Sequence, residues 1–180
     1  LWSYARHFSY NAAGAVTSLQ LGNGRWESTQ FNSRPQPTQI GLGNTPGATN
    51  LLKLDYGYGT TANSGNVLSQ TITVPAVGES SGFVATRTYD YDLLNRLKQA
   101  TEMVTPTGGS PTPSWRQVFV YDRYGNRRFN GAGTTTLGSC PAVQCNPQID
   151  QLTNRFATGQ GYVYDESGSL IQDAAGRRYV

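Results

Sequence analysis

Apolar and polar residues alternate along short runs, none longer than a strand. From Val67 to Val74, Leu68, Gln70, Ile72 and Val74 fall on one side and Val67, Ser69, Thr71 and Thr73 on the other, which is the two-residue period of a half-buried β-strand. Arg116 to Tyr121, rich in Val, Phe and Tyr, reads the same way. Leu19-Gln20-Leu21 and Arg25-Trp26-Glu27 flank Gly22-Asn23-Gly24, and the Asn-Gly pair predicts a hairpin closed by a tight primed turn with positive φ values. No segment of ten or more residues carries a 3.6-residue apolar period, and Asp92 to Glu102, the nearest candidate, fits better as a turn within a repeating unit. The pattern predicts an all-β chain of consecutive antiparallel hairpins without substantial helix.

The strands are punctuated by a recurring string: an aromatic, then Asp or Asn, two variable residues, then Gly or a substitute. Two copies are strict, Tyr121-Asp122-Arg123-Tyr124-Gly125 and Tyr164-Asp165-Glu166-Ser167-Gly168. Three are relaxed, beginning Tyr10-Asn11 with Gly14, Phe31-Asn32 with Pro35, and Tyr91-Asp92 with Asn95. Asp173 and Gly176 repeat the tail of the string without the aromatic, and Tyr58 to Gly65 reads as a degenerate copy. Each element has a physical role. The ring packs on the adjacent hairpin, the Asp or Asn side chain folds onto backbone N–H groups ahead of it, and Gly accepts the left-handed bend. Pro35 should force a different geometry on its own turn, because its ring fixes φ near −65°. Recurrence of this kind marks a repeat architecture whose units must stack to bury their apolar faces.

The spacings suit a unit of about 20 to 21 residues with insertions. Four stretches rich in Gly, Pro and Thr are expected to be surface loops, at about 41–50, 75–82, 105–113 and 130–147, within a single repeat segment covering 1–180. The chain opens at Leu1 rather than Met and stops at Gly176 to Val180 as a strand is starting, so it is expected to be part of a longer protein. Isolated, its terminal strands, near Trp2 to Tyr10 and Tyr162 to Val180, would be expected to self-associate.

Composition sharpens this picture. Charged residues make up only 14% of the chain, against 21 Gly, 9 Pro and 11 Tyr, a balance suited to short strands and frequent turns. The net charge of +3 comes from cations scattered singly or in pairs such as Arg127-Arg128 and Arg177-Arg178. A surface that tracks phosphates needs clustered cations, so nucleic acid is not an expected partner. No run approaches the length needed for a membrane-spanning helix, and this segment is not expected to insert into a bilayer.

The Tyr-Asp-x-x-Gly string preceded by an apolar strand residue, Val120 or Val163, resembles the YD repeat of bacterial Rhs proteins and of the related Tc-toxin shell proteins and teneurins. Phe31-Asn32-Ser33-Arg34 is similar to a common variant, with Pro35 where Gly is usual. The resemblance runs from about residue 8 to residue 179. It implies a curved sheet of hairpins forming part of a coiled shell that, in the toxin members, encloses a polypeptide cargo. It further implies neighbouring YD repeats as partners, and a secreted or cell-surface bacterial location. No match to the self-cleaving segment that closes the Rhs core is present, so neither that activity nor a toxin activity is expected.

Candidate chemistry is sparse. His7 is the lone histidine, too little for a triad, a Cys-His dyad or a zinc site, and it reads as a strand residue. Asp90 and Asp92 would share a face if both were in a strand, a carboxylate pair of the kind glycosidases use; the plainer reading has Asp92 capping its turn and Asp90 beside an Arg. Cys140 and Cys145, five residues apart, would be free thiols in a reducing compartment or a disulfide in a secreted or surface protein, and the disulfide is the favoured reading. Trp2, Trp26 and Trp115 are ordinary packing residues on the leading view. On the alternative view, an adhesion or carbohydrate-binding module, Trp26 and Trp115 would stack on sugars. No catalytic residue, cofactor or metal site is expected.

Overall fold

The computed structural model describes residues 4–61 and 63–179; Trp2 lies outside them. Ten strands follow one another in chain order and form one sheet in that same order. They are β1 (Ala5–Tyr10), β2 (Val16–Leu21), β3 (Trp26–Phe31), β4 (Pro37–Gly43), β5 (Leu52–Gly57), β6 (Ser69–Val74), β7 (Phe83–Tyr91), β8 (Leu97–Pro106), β9 (Thr112–Tyr121) and β10 (Arg127–Phe129). Two small hairpins follow, β11 (Ile149–Asp150) with β12 (Arg155–Phe156) and β13 (Val163–Tyr164) with β14 (Leu170–Gln172). The one helix among the described residues is a single turn, α1 (Ala142–Cys145). Every ladder whose register is resolved is antiparallel, and within each sheet consecutive strands neighbour each other, as in a chain of hairpins.

The register sorts side chains by chemistry. Ile40, Leu54, Ile72 and Ala85 lie opposite one another across β4 to β7, and one residue along, Gln39, Asp55, Thr71 and Thr86 do the same on the other face. Along these rows one face is apolar and the other polar, because side chains alternate along each strand. Burial is shallow on both. Among the described residues, Ala85, Ala100 and Phe119 are the buried hydrophobic ones and Glu102 the buried charged one.

Contacts group the chain into two compact units. The first takes in the chain up to Arg96 together with Ala100–Ser114, and the second Leu97–Gln99 with the chain from Trp115 onward. The first consists of long, regular ladders. In the second, beyond β10, strands shrink to two or three residues and turns dominate.

The loop-rich stretches differ from their expected extents. β4 takes the first three residues of 41–50, and β8 and β9 take both ends of 105–113, leaving a tight connection between two ten-residue strands. The glycines of the first stretch are required by contact rather than by loop freedom. A Cβ on Gly43 would run into the Ala48 carbonyl, and one on Gly41 would sit 2.6 Å from the Thr49 methyl. The connection after β4 thus folds back onto that strand. The 130–147 stretch also does more than bridge: Thr134 and Thr135 hydrogen-bond to Val118 and Arg116 of β9 through side chain and backbone.

The hairpin over residues 19–27 forms between β2 and β3, but its turn is not the primed two-residue type. The Leu21 N–H donates to the Arg25 carbonyl and the Gly24 N–H to the Leu21 carbonyl, with only Gly24, at φ +83°, left-handed. With Gly22 the loop has three residues, Gly22 to Gly24, between Leu21 and Arg25.

Candidate functional site

The repeated turn is the most developed site in the molecule. In each copy the Asp or Asn side-chain Oδ1 accepts backbone N–H groups from ahead. Asn11 accepts from Ala13 and Ala15, Asn32 from Arg34 and Gln36, Asp92 from Leu94 and Arg96, and Asp122 from Tyr124 and Asn126. Asp165 accepts from Ser169, and Asp173 from Ala175 and Arg177. All eleven bonds measure 2.7 to 3.1 Å. The backbone closes the same ring each time: the N–H of the Asx residue donates to the carbonyl four ahead, as in Asp122 to Asn126 and Asp173 to Arg177.

Such a ring needs a left-handed residue three positions after the Asx. Gly14, Gly125, Gly168 and Gly176 supply it at φ +79°, +89°, +87° and +79°, and Asn95 does so at +59°. In the Asn32 copy, where Pro35 stands at this position, the hydrogen bonding of the other copies is kept: Asn32 Oδ1 accepts from Arg34 and Gln36, and its N–H donates to the Gln36 carbonyl.

Asp92, Asp122 and Asp173 are held below the usual carboxylate range. For Asp92 the first cause is the Arg96 backbone N–H, for Asp122 the Asn126 side-chain amide, and for Asp173 the Tyr179 hydroxyl. Arg96 also places its Nε 2.7 Å from the second Asp92 oxygen. These carboxylates are spent on the turn. Asp90 lies in β7 and Asp92 in the turn beyond it, so the two do not form a strand-face pair.

The aromatic position joins hairpins. The Tyr58 hydroxyl donates to the Pro37 carbonyl, Tyr91 to Val67 and Tyr121 to Leu97, at 2.9, 2.9 and 2.8 Å. Pro37 and Leu97 each stand six residues after the aromatic of a motif, Phe31 and Tyr91. The ring of one unit therefore reaches the strand that leaves the preceding turn. Burial is the main reason the phenols of Tyr58 and Tyr91 ionise above their ordinary range, with Tyr56 and Tyr89 adding to it, so both stay hydrogen-bond donors. Tyr164 reverses the sense and accepts from the Phe156 N–H. Tyr10 is 60% exposed and its ring stacks on Phe8.

Successive turns also touch at their tips. Arg34 donates to the Asn63 carbonyl at 2.6 Å, Asn66 to the Asn95 side chain at 2.9 Å, and Asn126 to the side chain of Asn154. The last partner belongs to a turn the motif did not pick out. Asp150 accepts from the Leu152 N–H while Asn154, at φ +57°, takes the left-handed position. Ile149 stands where the motif has an aromatic and the left-handed residue comes one position late, which hid this copy.

Cys140 and Cys145 are joined by a disulfide. Trp26 is half-buried in β3 with one ring face against His7, at 6.0 Å between centroids, and Trp115 is half-buried in β9. Among the described residues no three His, Cys, Asp or Glu side chains gather as metal ligands, and no helix is long and apolar enough to cross a membrane.

Chained antiparallel hairpins, punctuated by a recurring Asx-capped turn that mostly follows an aromatic strand end, define an all-β repeat scaffold. No family model matches the chain, and no curated protein does. Among solved structures the chain is similar to one from the Photorhabdus luminescens Tc holotoxin pore, with a TM-score of 0.56 and 20% identity over 94% of this chain. At that identity the likeness is one of fold. It spans 10% of the length of that chain.

Proposed function

We propose that this chain is a non-enzymatic structural segment of an Rhs-type YD-repeat shell, in a secreted or surface-delivered bacterial protein, where it helps to enclose or present a polypeptide cargo. Neighbouring repeats of the same parent are its partners. One observation carries the reading: the same capped turn recurs six times, and in three units a Tyr hydroxyl ties one hairpin to the one before it. That wiring builds a wall and leaves the motif's polar groups occupied. The fold likeness to a Tc holotoxin chain supports the same reading.

The test is direct. Electron microscopy of the protein that carries this chain should reveal a hollow particle with these hairpins in its wall, and a co-purifying polypeptide should resist added protease until the particle is opened. A solid particle, or a polypeptide digested as fast with the wall intact as without it, would sink the proposal.

A further inference from the structure

Asn146 takes the place of a missing strand. β10 is the last strand of the ten-stranded sheet, and the Asn130 N–H beyond it turns inward to the Val118 carbonyl. The backbone groups of Phe129, one residue earlier, point the other way, because alternate residues of an antiparallel strand direct their polar groups to opposite sides. Both are satisfied by one side chain: the Phe129 N–H donates to Asn146 Oδ1 at 2.8 Å, and Asn146 Nδ2 donates to the Phe129 carbonyl at 2.8 Å. The amide reproduces the donor and acceptor pair that a further strand would offer.

What holds Asn146 there is next to it in sequence. Its own N–H donates to the Ala142 carbonyl, ending α1, and Cys145 is bonded to Cys140 across that single turn. A one-turn helix cannot sustain itself in water, and α1 has no side-chain cap and no buried residue. The Tyr162 hydroxyl also donates to the Val143 carbonyl, at 2.8 Å. The covalent link is the strongest restraint on the segment that positions the amide.

We propose that the Cys140–Cys145 disulfide is a redox latch on the outer edge of β10: oxidised, it holds Asn146 on Phe129 and closes the edge; reduced, it releases Asn146 and opens the edge to pairing. The reductant is a dithiol. It gives two electrons and two protons to the disulfide, the S–S bond breaks, two thiols form, and the dithiol closes to its own cyclic disulfide. An open edge carrying free N–H and C=O groups is the kind of surface that accepts another strand, so closure by one amide suits a chain that must not pair wrongly before its neighbours are in place.

Amide hydrogen exchange read by NMR tests this on the whole chain. On adding dithiothreitol, protection of the Phe129 amide should fall by about tenfold or more while amides of β6 keep theirs. Asn146→Ala should lose the same protection in the oxidised chain and show no further loss on reduction, and the double variant Cys140→Ser, Cys145→Ser should match the reduced chain. Equal Phe129 protection in both redox states overturns the latch. So does an equal loss in β6, which would make the disulfide a support of the whole fold.

Discussion

The Tyr121 hydroxyl donates to the Leu97 carbonyl at 2.8 Å, across 24 residues of chain and from one repeat to the one before it. A phenol placed this way anchors a hairpin at its turn, where the ladder has ended. Tyr121→Phe keeps the ring and deletes the bond, so it should lower stability by about 1 kcal/mol, the usual net worth of such a hydrogen bond. Tyr91→Phe, which frees the Val67 carbonyl, should cost a similar amount. The exposed Tyr10 is the control, and Tyr10→Phe should leave the urea midpoint unmoved. Equal midpoints for all three variants would show that the hydroxyls carry no stability.

The left-handed position admits a graded test because the repeats already contain two answers. Gly125 sits at φ +89° and its counterpart Asn95 at +59°. Open space surrounds a Cβ on Gly125, so only the backbone resists substitution. Gly125→Val should therefore cost more than about 1 kcal/mol, since a β-branched side chain clashes at positive φ. Gly125→Asn should cost clearly less. If the two variants unfold at the same denaturant concentration, backbone handedness is not what Gly125 provides.

Acid sensitivity follows from the capped carboxylates. Asp122 is held below its ordinary range in the folded chain, chiefly by the Asn126 amide and then by backbone N–H groups. A depressed folded value means that the stabilisation is complete above the unfolded pKa and is lost as pH falls through the folded one. Stability should be flat from about pH 7 to pH 5 and decline below about pH 4. Asn11 and Asn32 show that an amide makes the same two backbone bonds. Asp122→Asn should therefore preserve the fold at neutral pH and flatten part of the acid decline. An acid limb as steep as in the parent would remove Asp122 from the account.

Much of this architecture could be read from the residues, for reasons that are local. The aromatic-Asx-Gly string specifies its turn through bonds spanning at most four residues, and the alternation over Val67 to Val74 specifies which side of β6 faces Leu54 and Ala85. What stayed hidden depends on partners far along the chain. Nothing near Gly41 or Gly43 announces that residues 48 and 49 will lie against them. Asn146 looks like one more polar loop residue until Phe129, 17 positions earlier, is beside it. The Asp150 turn escaped because a β-branched residue does the work of an aromatic and an extra residue delays the bend. The Tyr hydroxyl bonds were also illegible: the ring was expected to pack, and only the register shows what its oxygen meets.

Gly43 offers a test of the folded-back connection. A methyl there would meet the Ala48 backbone, which cannot rotate away as a side chain end can. Gly43→Ala should destabilise by roughly 1 to 3 kcal/mol, the range for overpacking. Gly131→Ala, where a Cβ meets nothing within 4 Å, should be tolerated. Equal tolerance at the two sites, measured by thermal unfolding, would mean that the 44–50 segment does not lie against β4.

The last test concerns an ion pair with a buried member. Glu102, in β8, is 8% exposed, and Arg87 of β7 places its Nε 2.7 Å from Glu102 Oε2. Arg87 extends toward Gln70, whose side chain also meets Tyr89 and Tyr56, so a row of polar contacts crosses β5 to β8. A pair of this kind gives little net stability over apolar residues, because both charges lose water; breaking it from one side costs far more, since it strands a desolvated charge. Arg87→Met should therefore destabilise by about 3 kcal/mol, the lower end of the range for buried pairs, because the guanidinium keeps a third of its side chain in solvent. The double variant Arg87→Met, Glu102→Leu should recover most of that loss, and its β7–β8 amides should exchange faster if the row of polar contacts fixes register rather than stability. A double variant as unstable as Arg87→Met alone would show that the pair is a net source of stability and that the desolvation argument fails here.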